Sequence, residues 1–187
     1  MLDIVKNPTV NGLDLAKLGG VVESIEKDVS NAPLSFQVTT RWTGGTRTET
    51  EVGEITFGCQ TITRDFTIVA DEPTEICGTN TAPNPQELLM AAFNACISVG
   101  YVAGASMKGI NLEKLEIRTS GTLDLRGFFG LSDQVAPGYE QIDYEVVMEG
   151  DGSAEDYAAI HETVMKTSPN YFNLGRPIRL NGRLNAA

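Results

Sequence analysis

The chain has 187 residues, 41% of them apolar and 21% charged, and a net charge of −11. That length fits one domain with a modest extension, and that balance fits a soluble globular protein with a real core. The negative charge argues against a nucleic-acid or anionic-membrane surface, because binding to phosphate relies on Lys and Arg.

Three cysteines, Cys59, Cys77 and Cys96, show no CxxC spacing, and the single His161 leaves them no histidine partners, so no metal site is expected. An odd cysteine count without a disulfide framework fits a reducing compartment. The opening residues, MLDIVKNPTVNG, hold no apolar run of useful length for a secretory signal. A cytoplasmic location is the expectation, with no cofactor.

Residues 12–29 place Leu15, Leu18, Val22, Ile25 and Val29 at helical spacing, weakened by Gly19 and Gly20. Pro33 separates this helix from the rest of the chain, so residues 1–33 read as an N-terminal helical extension and 34–187 as the main domain. From residue 35 the texture changes. SFQVTTRW alternates, EVGEITFG does so more weakly, and RDFTIVAD ends in a short apolar run, with Gly-rich turns at 44–45 and 58. Two or three antiparallel strands are expected. Residues 71–85 hold three prolines and many turn formers, the composition of an ordered loop. Asn84 then caps a helix that Pro85 opens.

That helix is uncharged from Leu88 to Ser106, nineteen residues, long enough to be flagged as a membrane span. Asn94, Ser98, Tyr101 and Ser106, with several alanines and glycines, make its hydrophobicity modest. A helix covered on all sides inside a protein is the preferred reading. Gly100 and Gly104 at i, i+4 allow a close approach by another helix, for which a second copy of the same helix in a homodimer would serve. Cys96 sits in mid-helix, where a free cysteine is commonly a small buried hydrophobe. Mid-helix placement also denies it the N-terminal dipole that activates thiols.

Farther on, LEKLEIRTSGTLDL (112–125) and IDYEVVMEG (142–150) alternate again. Between them Asp124, Leu125, Arg126, Phe128 and Phe129 either line a pocket mouth or form a strand end with a covered aromatic turn. Residues 153–169 combine a Ser153 cap, acidic residues in the first turn, an apolar set of Ala158, Ile160, Val164 and Met165, and a terminating proline. A last strand, PIRLNGRL, closes the chain. The order α, β-β-β, α, β-β, α, β gives an α+β fold with antiparallel sheets around a long buried central helix.

The strings DEP…CGTNTAPNPQELLMAAFNAC, KGINLEKLEI, SGTLDL, PGYEQIDYEV and TSPN resemble the osmotically inducible protein C (OsmC)/organic hydroperoxide resistance family, over roughly residues 36–187. The resemblance implies an OsmC-like fold, an intertwined homodimer and a peroxidatic cysteine on the central helix, matched by Cys96. It implies that a thiolate attacks the distal peroxide oxygen and that a second cysteine condenses with the sulfenic acid. The resemblance also implies an arginine that stabilises the thiolate, for which Arg47, in WTGGTR, is the best match and Arg41 the second.

Two positions depart from the family pattern. The resolving cysteine of a Cys-Pro pair is replaced by Ser168, before Pro169, and the glutamate after the loop proline is replaced by Gln86, with Glu87 one residue later. By the 3.6-residue period, ten residues is about −80° around the helix and nine about 180°, so Glu87 is expected to point away from its own Cys96. Glu87 can then serve only across a dimer interface or as a structural residue. Cys77, where a glycine would be more usual, is a substitute resolver or an ordinary loop residue. Cys59 and His161 are expected to have no catalytic part. Two functions remain open: a peroxidase that reduces organic hydroperoxides through Cys96 with an external thiol reductant, or a non-catalytic module that binds a small apolar ligand at the dimer interface. The expected partners are a second copy of the chain, the hydroperoxide or apolar ligand, and the thiol, with neither nucleic acid nor membrane.

Overall fold

The computed structural model describes residues 9–186, so the first eight residues of the expected 1–33 extension lie outside the described residues. The chain divides into two compact units between Ala91 and Ala92.

In the first unit a small hairpin, β1 (Thr9–Val10) and β2 (Leu13–Asp14), turns at Asn11 and Gly12, both with positive φ. Helix α1 (Leu15–Lys27) comes next, capped by Asp14, whose carboxylate accepts the Lys17 N–H at 2.9 Å. None of its residues is buried. Six strands succeed it: β3 (Leu34–Ser35), β4 (Val38–Gly44), β5 (Arg47–Val52), β6 (Ile55–Phe57), β7 (Gln60–Ile62) and β8 (Thr67–Ala70). They form two three-stranded antiparallel sheets, ordered β3-β6-β7 and β4-β5-β8. The expected two or three strands are thus six. SFQVTTRW and EVGEITFG each split in two, because the Gly53 N–H bonds the Gln37 carbonyl at 2.9 Å where the chain passes from one sheet to the other. The turns at 44–45 and 58 are present as expected.

Helix α2 (Pro85–Met107) runs from the first unit into the second. Its start is locked by a reciprocal cap: the Glu87 N–H donates to Asn84 Oδ1 at 2.8 Å, and the Asn84 N–H to Glu87 Oε2 at 2.7 Å. By length and composition α2 alone among the described residues is able to cross a membrane. Its Phe93, Ile97, Tyr101 and Ala105 instead form, with Ile110, Ile160 and Val164, the core of the second unit.

That core is floored by β9 (Leu112–Gly121) and β10 (Ile142–Gly150), paired antiparallel. Leu115, Ile117, Tyr144, Val146 and Met148 pack inward. Lys114, Glu116, Arg118, Glu145 and Glu149 pair in exposed ion pairs on the other face. The alternation read in the sequence is the ordinary pattern of a sheet with one dry and one wet face. Between the strands lies one short helix, α3 (Leu125–Phe128). Helix α4 (Ala154–Thr167) begins at the expected Ser153, with Asp156 completing a capping box.

Two expectations are corrected. Pro169 ends α4 but also opens a further helix, α5 (Pro169–Gly175), with Ser168 extended between the two as residues before proline prefer. PIRLNGRL forms no strand: residues 176–186 carry no regular structure, and Leu180 and Leu184 are exposed. An alternating sequence makes a strand only where a neighbouring edge completes its ladder.

Candidate functional site

The face that α2 turns to α4 is built in steps of one helical turn. Cys96 meets Ser168, with Sγ 3.4 Å from Oγ. Gly100 faces Val164 and Gly104 faces Ile160; a Cβ added at either glycine would lie 3.0 Å and 2.9 Å from the facing γ-methyl. Lys108 Nζ donates to Asp156 Oδ1 at 2.8 Å. As one residue number rises by four, its partner falls by four, so the two helices run antiparallel in a fixed register. The two glycines therefore admit α4 of the same chain, which corrects the expected second copy of α2. Only a residue without a side chain lets the Val164 and Ile160 branches lie against the α2 backbone.

The register is pinned at both ends. The Asp156 carboxyl is lowered to about 2 by the Lys108 ammonium and by its part in the Ser153 cap. At the other end Asn170 Nδ2 donates to the Ala92 carbonyl at 2.9 Å. The polar residues of α2 are satisfied inside the protein as well: Thr119 donates to Asn94 Oδ1, and the Tyr101 hydroxyl pairs with His161 Nδ1 at 2.6 Å. Tyr101 is wholly buried, and burial pushes its phenol up to about 12. Sequence reading left His161 without a role, since its pairing joins residues sixty apart in the chain.

Ser168 is 7% exposed. Its backbone N–H donates to the Val164 carbonyl, and its Oγ accepts the Tyr171 N–H at 3.3 Å. Either atom of the Cys96–Ser168 pair can donate while sulfur is a thiol; once sulfur is a thiolate, the Ser168 hydroxyl must be the donor. Cys96 itself is half-buried, and all three cysteines are free.

The other expected site residues belong to the first unit. Arg47 opens β5; its Nη1 donates to Thr81 Oγ1 at 3.1 Å and its Nη2 reaches Glu49 at 3.4 Å. Arg41 pairs with Glu51 at 2.7 Å on the exposed side of β4. Glu87 is occupied by the Asn84 cap, and Gln86 is half-buried beside it. Cys77 is exposed with φ of 69°, the left-handed region that favours glycine. Next to it, a Cβ at Gly78 would overlap the Glu72 carbonyl, so the loop closes tightly there.

Asp71 was not singled out in the sequence, yet it is the loop's hub. At 1% exposure its carboxylate accepts from the hydroxyls of Thr46, Thr79 and Thr81 and the N–H groups of Glu72, Thr79 and Thr81. These donors, the Thr79 and Thr46 hydroxyls foremost, hold its carboxyl well below the usual carboxylate range. The only signal in the sequence was the density of threonines around it.

In the second unit, Asp124 and Leu125 line an open cleft of about 980 Å³ formed mainly by the segment that joins β9 to β10. Of the segment expected either to line a pocket mouth or to end a strand, Arg126, Phe128 and Phe129 are not among its lining residues. Phe128 and Phe129 stack edge to face, 5.0 Å between centroids, and are exposed rather than covered.

The profile of the OsmC-like protein family matches residues 78–181, a span that holds Cys96, the α2–α4 register and Ser168. The chain belongs to the OsmC-like family. Solved structures of similar fold include the OsmC-like protein from Mycoplasma pneumoniae, 17% identical, with a TM-score of 0.59 and coverage of 75% of this chain and 87% of that one. An OsmC-like protein of unknown function from Vibrio cholerae is 11% identical, with a TM-score of 0.54 and coverage of 74% and 92%. At these identities the likeness is one of fold. No curated protein matches the sequence. Within this OsmC-like chain, the residue brought to the central-helix thiol is a serine.

Proposed function

We propose that the protein is a thiol-dependent reductase of organic hydroperoxides in which Cys96 attacks the peroxide and an external thiol completes the cycle. The observation that carries this reading is the Cys96–Ser168 pair, a half-buried thiol with a hydroxyl fixed 3.4 Å away that can donate to the thiolate. The thiolate sulfur takes the distal oxygen: an S–O bond forms, the O–O bond breaks, sulfur loses two electrons, and the alkoxide leaves as an alcohol with one proton. Beside the resulting sulfenic acid stands a hydroxyl, so no disulfide forms there. One external thiol condenses with the sulfenic acid, releasing water and leaving a mixed disulfide. A second displaces it, so that a small disulfide departs and the Cys96 thiol returns.

Arg47 is the proposed counter-charge for the thiolate, and Gln86 a neutral hydrogen-bond partner for the arginine. Cys77, free and exposed, is the alternative resolver; full turnover by a Cys77→Ser variant removes it from the scheme. We assign the family domain to residues 34–187 with 1–33 as an appended segment, and a cytoplasmic location, which three free cysteines support.

The working unit is proposed as a homodimer. Val99 on α2 is 69% exposed and Trp42 on β4 73%, while Phe36, Val38, Phe66 and Ile68 are exposed on or beside the first unit's sheets. An apolar helix face and an apolar sheet face of this kind call for cover.

A second reading, a non-catalytic module holding a small apolar ligand at the dimer interface, is favoured by the loss of charge at Gln86 and of the thiol at Ser168. Consumption of cumene hydroperoxide with dithiothreitol or dihydrolipoamide separates the two. Turnover that disappears in Cys96→Ser supports the reductase, and equal inactivity of both proteins selects the ligand-binding module.

A further inference from the structure

Asp71 is the most buried carboxylate among the described residues, and none of its hydrogen-bond donors is a cation. A charge out of water needs compensation, and here neutral O–H and N–H groups converging on the two oxygens supply it. Its own N–H donates to the Pro83 carbonyl at 3.2 Å, so one residue closes the loop from 72 to 83. The same loop holds two positive-φ residues, Cys77 and Asn80, which only a well-anchored segment keeps in place.

Two of the groups Asp71 holds are the neighbours of Arg47. Thr46 precedes it in the chain and donates its hydroxyl to Asp71 Oδ1 at 2.7 Å. Thr81 accepts the Arg47 Nη1–H at 3.1 Å and lies 3.1 Å from Asp71 Oδ2. The Thr79 hydroxyl, 3.0 Å from that of Thr81, also donates to Asp71 Oδ2. The single Thr81 hydroxyl proton therefore goes to Asp71 or to Thr79, and in either case a lone pair is left facing the guanidinium. From these contacts we propose that Asp71 is the positioning residue for Arg47, fixing the arginine's base through Thr46 and its guanidinium through Thr81. The part played by Arg47 rests on the hydroperoxide reading above; the positioning itself does not.

An Asp71→Asn exchange keeps the shape but replaces one acceptor oxygen by an NH2 donor, facing either Thr46 and Glu72 or Thr79 and Thr81, so one of the two ties to Arg47 is lost. The test has two arms. In the first, phenylglyoxal modification of Arg47 in the full-length protein is followed by peptide mass spectrometry. The expected result is a several-fold faster reaction in Asp71→Asn than in wild type, with a Thr74→Ala control unchanged. A Thr81→Val variant, which removes the hydroxyl alone, is expected to match Asp71→Asn and stands in for it if that protein does not fold. An unchanged Arg47 rate in a folded variant overturns the proposal.

In the second arm, kcat/KM for cumene hydroperoxide is measured with Asp71→Asn in the wild-type and Arg47→Ala backgrounds. The expected cost is about tenfold in the first and close to none in the second, since misplacement of an acting group matters only while the group is present. Equal costs in both backgrounds make Asp71 a general structural residue and also overturn the proposal. A wild-type protein without peroxidase activity removes the hydroperoxide reading, while the labelling arm still decides whether Asp71 positions Arg47.

Discussion

Cys96 Sγ and Ser168 Oγ lie 3.4 Å apart, the last rung of an antiparallel register that continues through Gly100–Val164, Gly104–Ile160 and Lys108–Asp156. Because the register is fixed by close-packed branches and an ion pair, the thiol and the hydroxyl are held together by the fold rather than meeting by chance. A substitution at Ser168 therefore reads directly on Cys96. Ser168→Ala removes a hydrogen bond to a charged acceptor and is expected to slow the reaction of Cys96 with hydroperoxide on the order of tenfold. Ser168→Cys places a thiol where the hydroxyl was. Peroxide treatment of that variant is expected to give a disulfide between Cys96 and the introduced thiol, seen as loss of two titratable thiols and a linked peptide pair. Retention of both thiols would show that the pair is not close in solution.

The glycines of α2 give a stability prediction with an internal control. Gly104→Leu drives a side chain into Ile160 and is expected to cost about 1–3 kcal/mol, the range for overpacking a dense core. Gly19 in α1 has open space around its Cα, so Gly19→Ala is expected to stabilise by about 0.5–1 kcal/mol. Urea midpoints of the two variants moving in opposite directions support the packing; a neutral Gly104→Leu contradicts it.

Acid should weaken the same helix pair. The folded-state carboxyl of Asp156 is lowered to about 2, below the unfolded value of about 3.9. A depressed folded value means that its contribution is fully present above about pH 4 and is lost as pH falls toward 2. Asp71 acts in the same direction. Urea midpoints between pH 5 and pH 2 are expected to fall for wild type and to fall less steeply for Asp156→Asn, which has no carboxyl to protonate. Parallel curves would remove Asp156 as a source of the pH dependence.

Much of the second unit was legible from its residues. Alternation over 112–121 and 142–150 gave the two-stranded sheet, and Ser153 with its acidic first turn gave α4. Local chemistry decides those elements. The use of Gly100 and Gly104 was not legible, because their i, i+4 spacing says that something comes close and nothing in it says which helix. The same holds for Asp71, whose donors come from residues 46, 72, 79 and 81 and converge only once the strands pair. Two of the runs read in the first unit each hold two strands, divided where the Gly53 N–H bonds the Gln37 carbonyl, and alternation alone does not show such a division. Ser168 was placed at the thiol by family resemblance alone; the structure adds the 3.4 Å contact.

The exposed apolar face of α2 yields a prediction about assembly. Light scattering at micromolar concentration is expected to give a dimer, and Val99→Glu, a charge placed on that face, a monomer. A monomeric wild type contradicts the proposed working unit.

The central claim is that Cys96 is a working peroxidatic thiol in a chain with no internal resolver at position 168. The most direct measurement is cumene hydroperoxide consumption with dihydrolipoamide by wild type and by Cys96→Ser. Turnover by wild type that scales with the external thiol and is abolished in Cys96→Ser is the expected result. Equal inactivity, or activity that survives in Cys96→Ser, would contradict it.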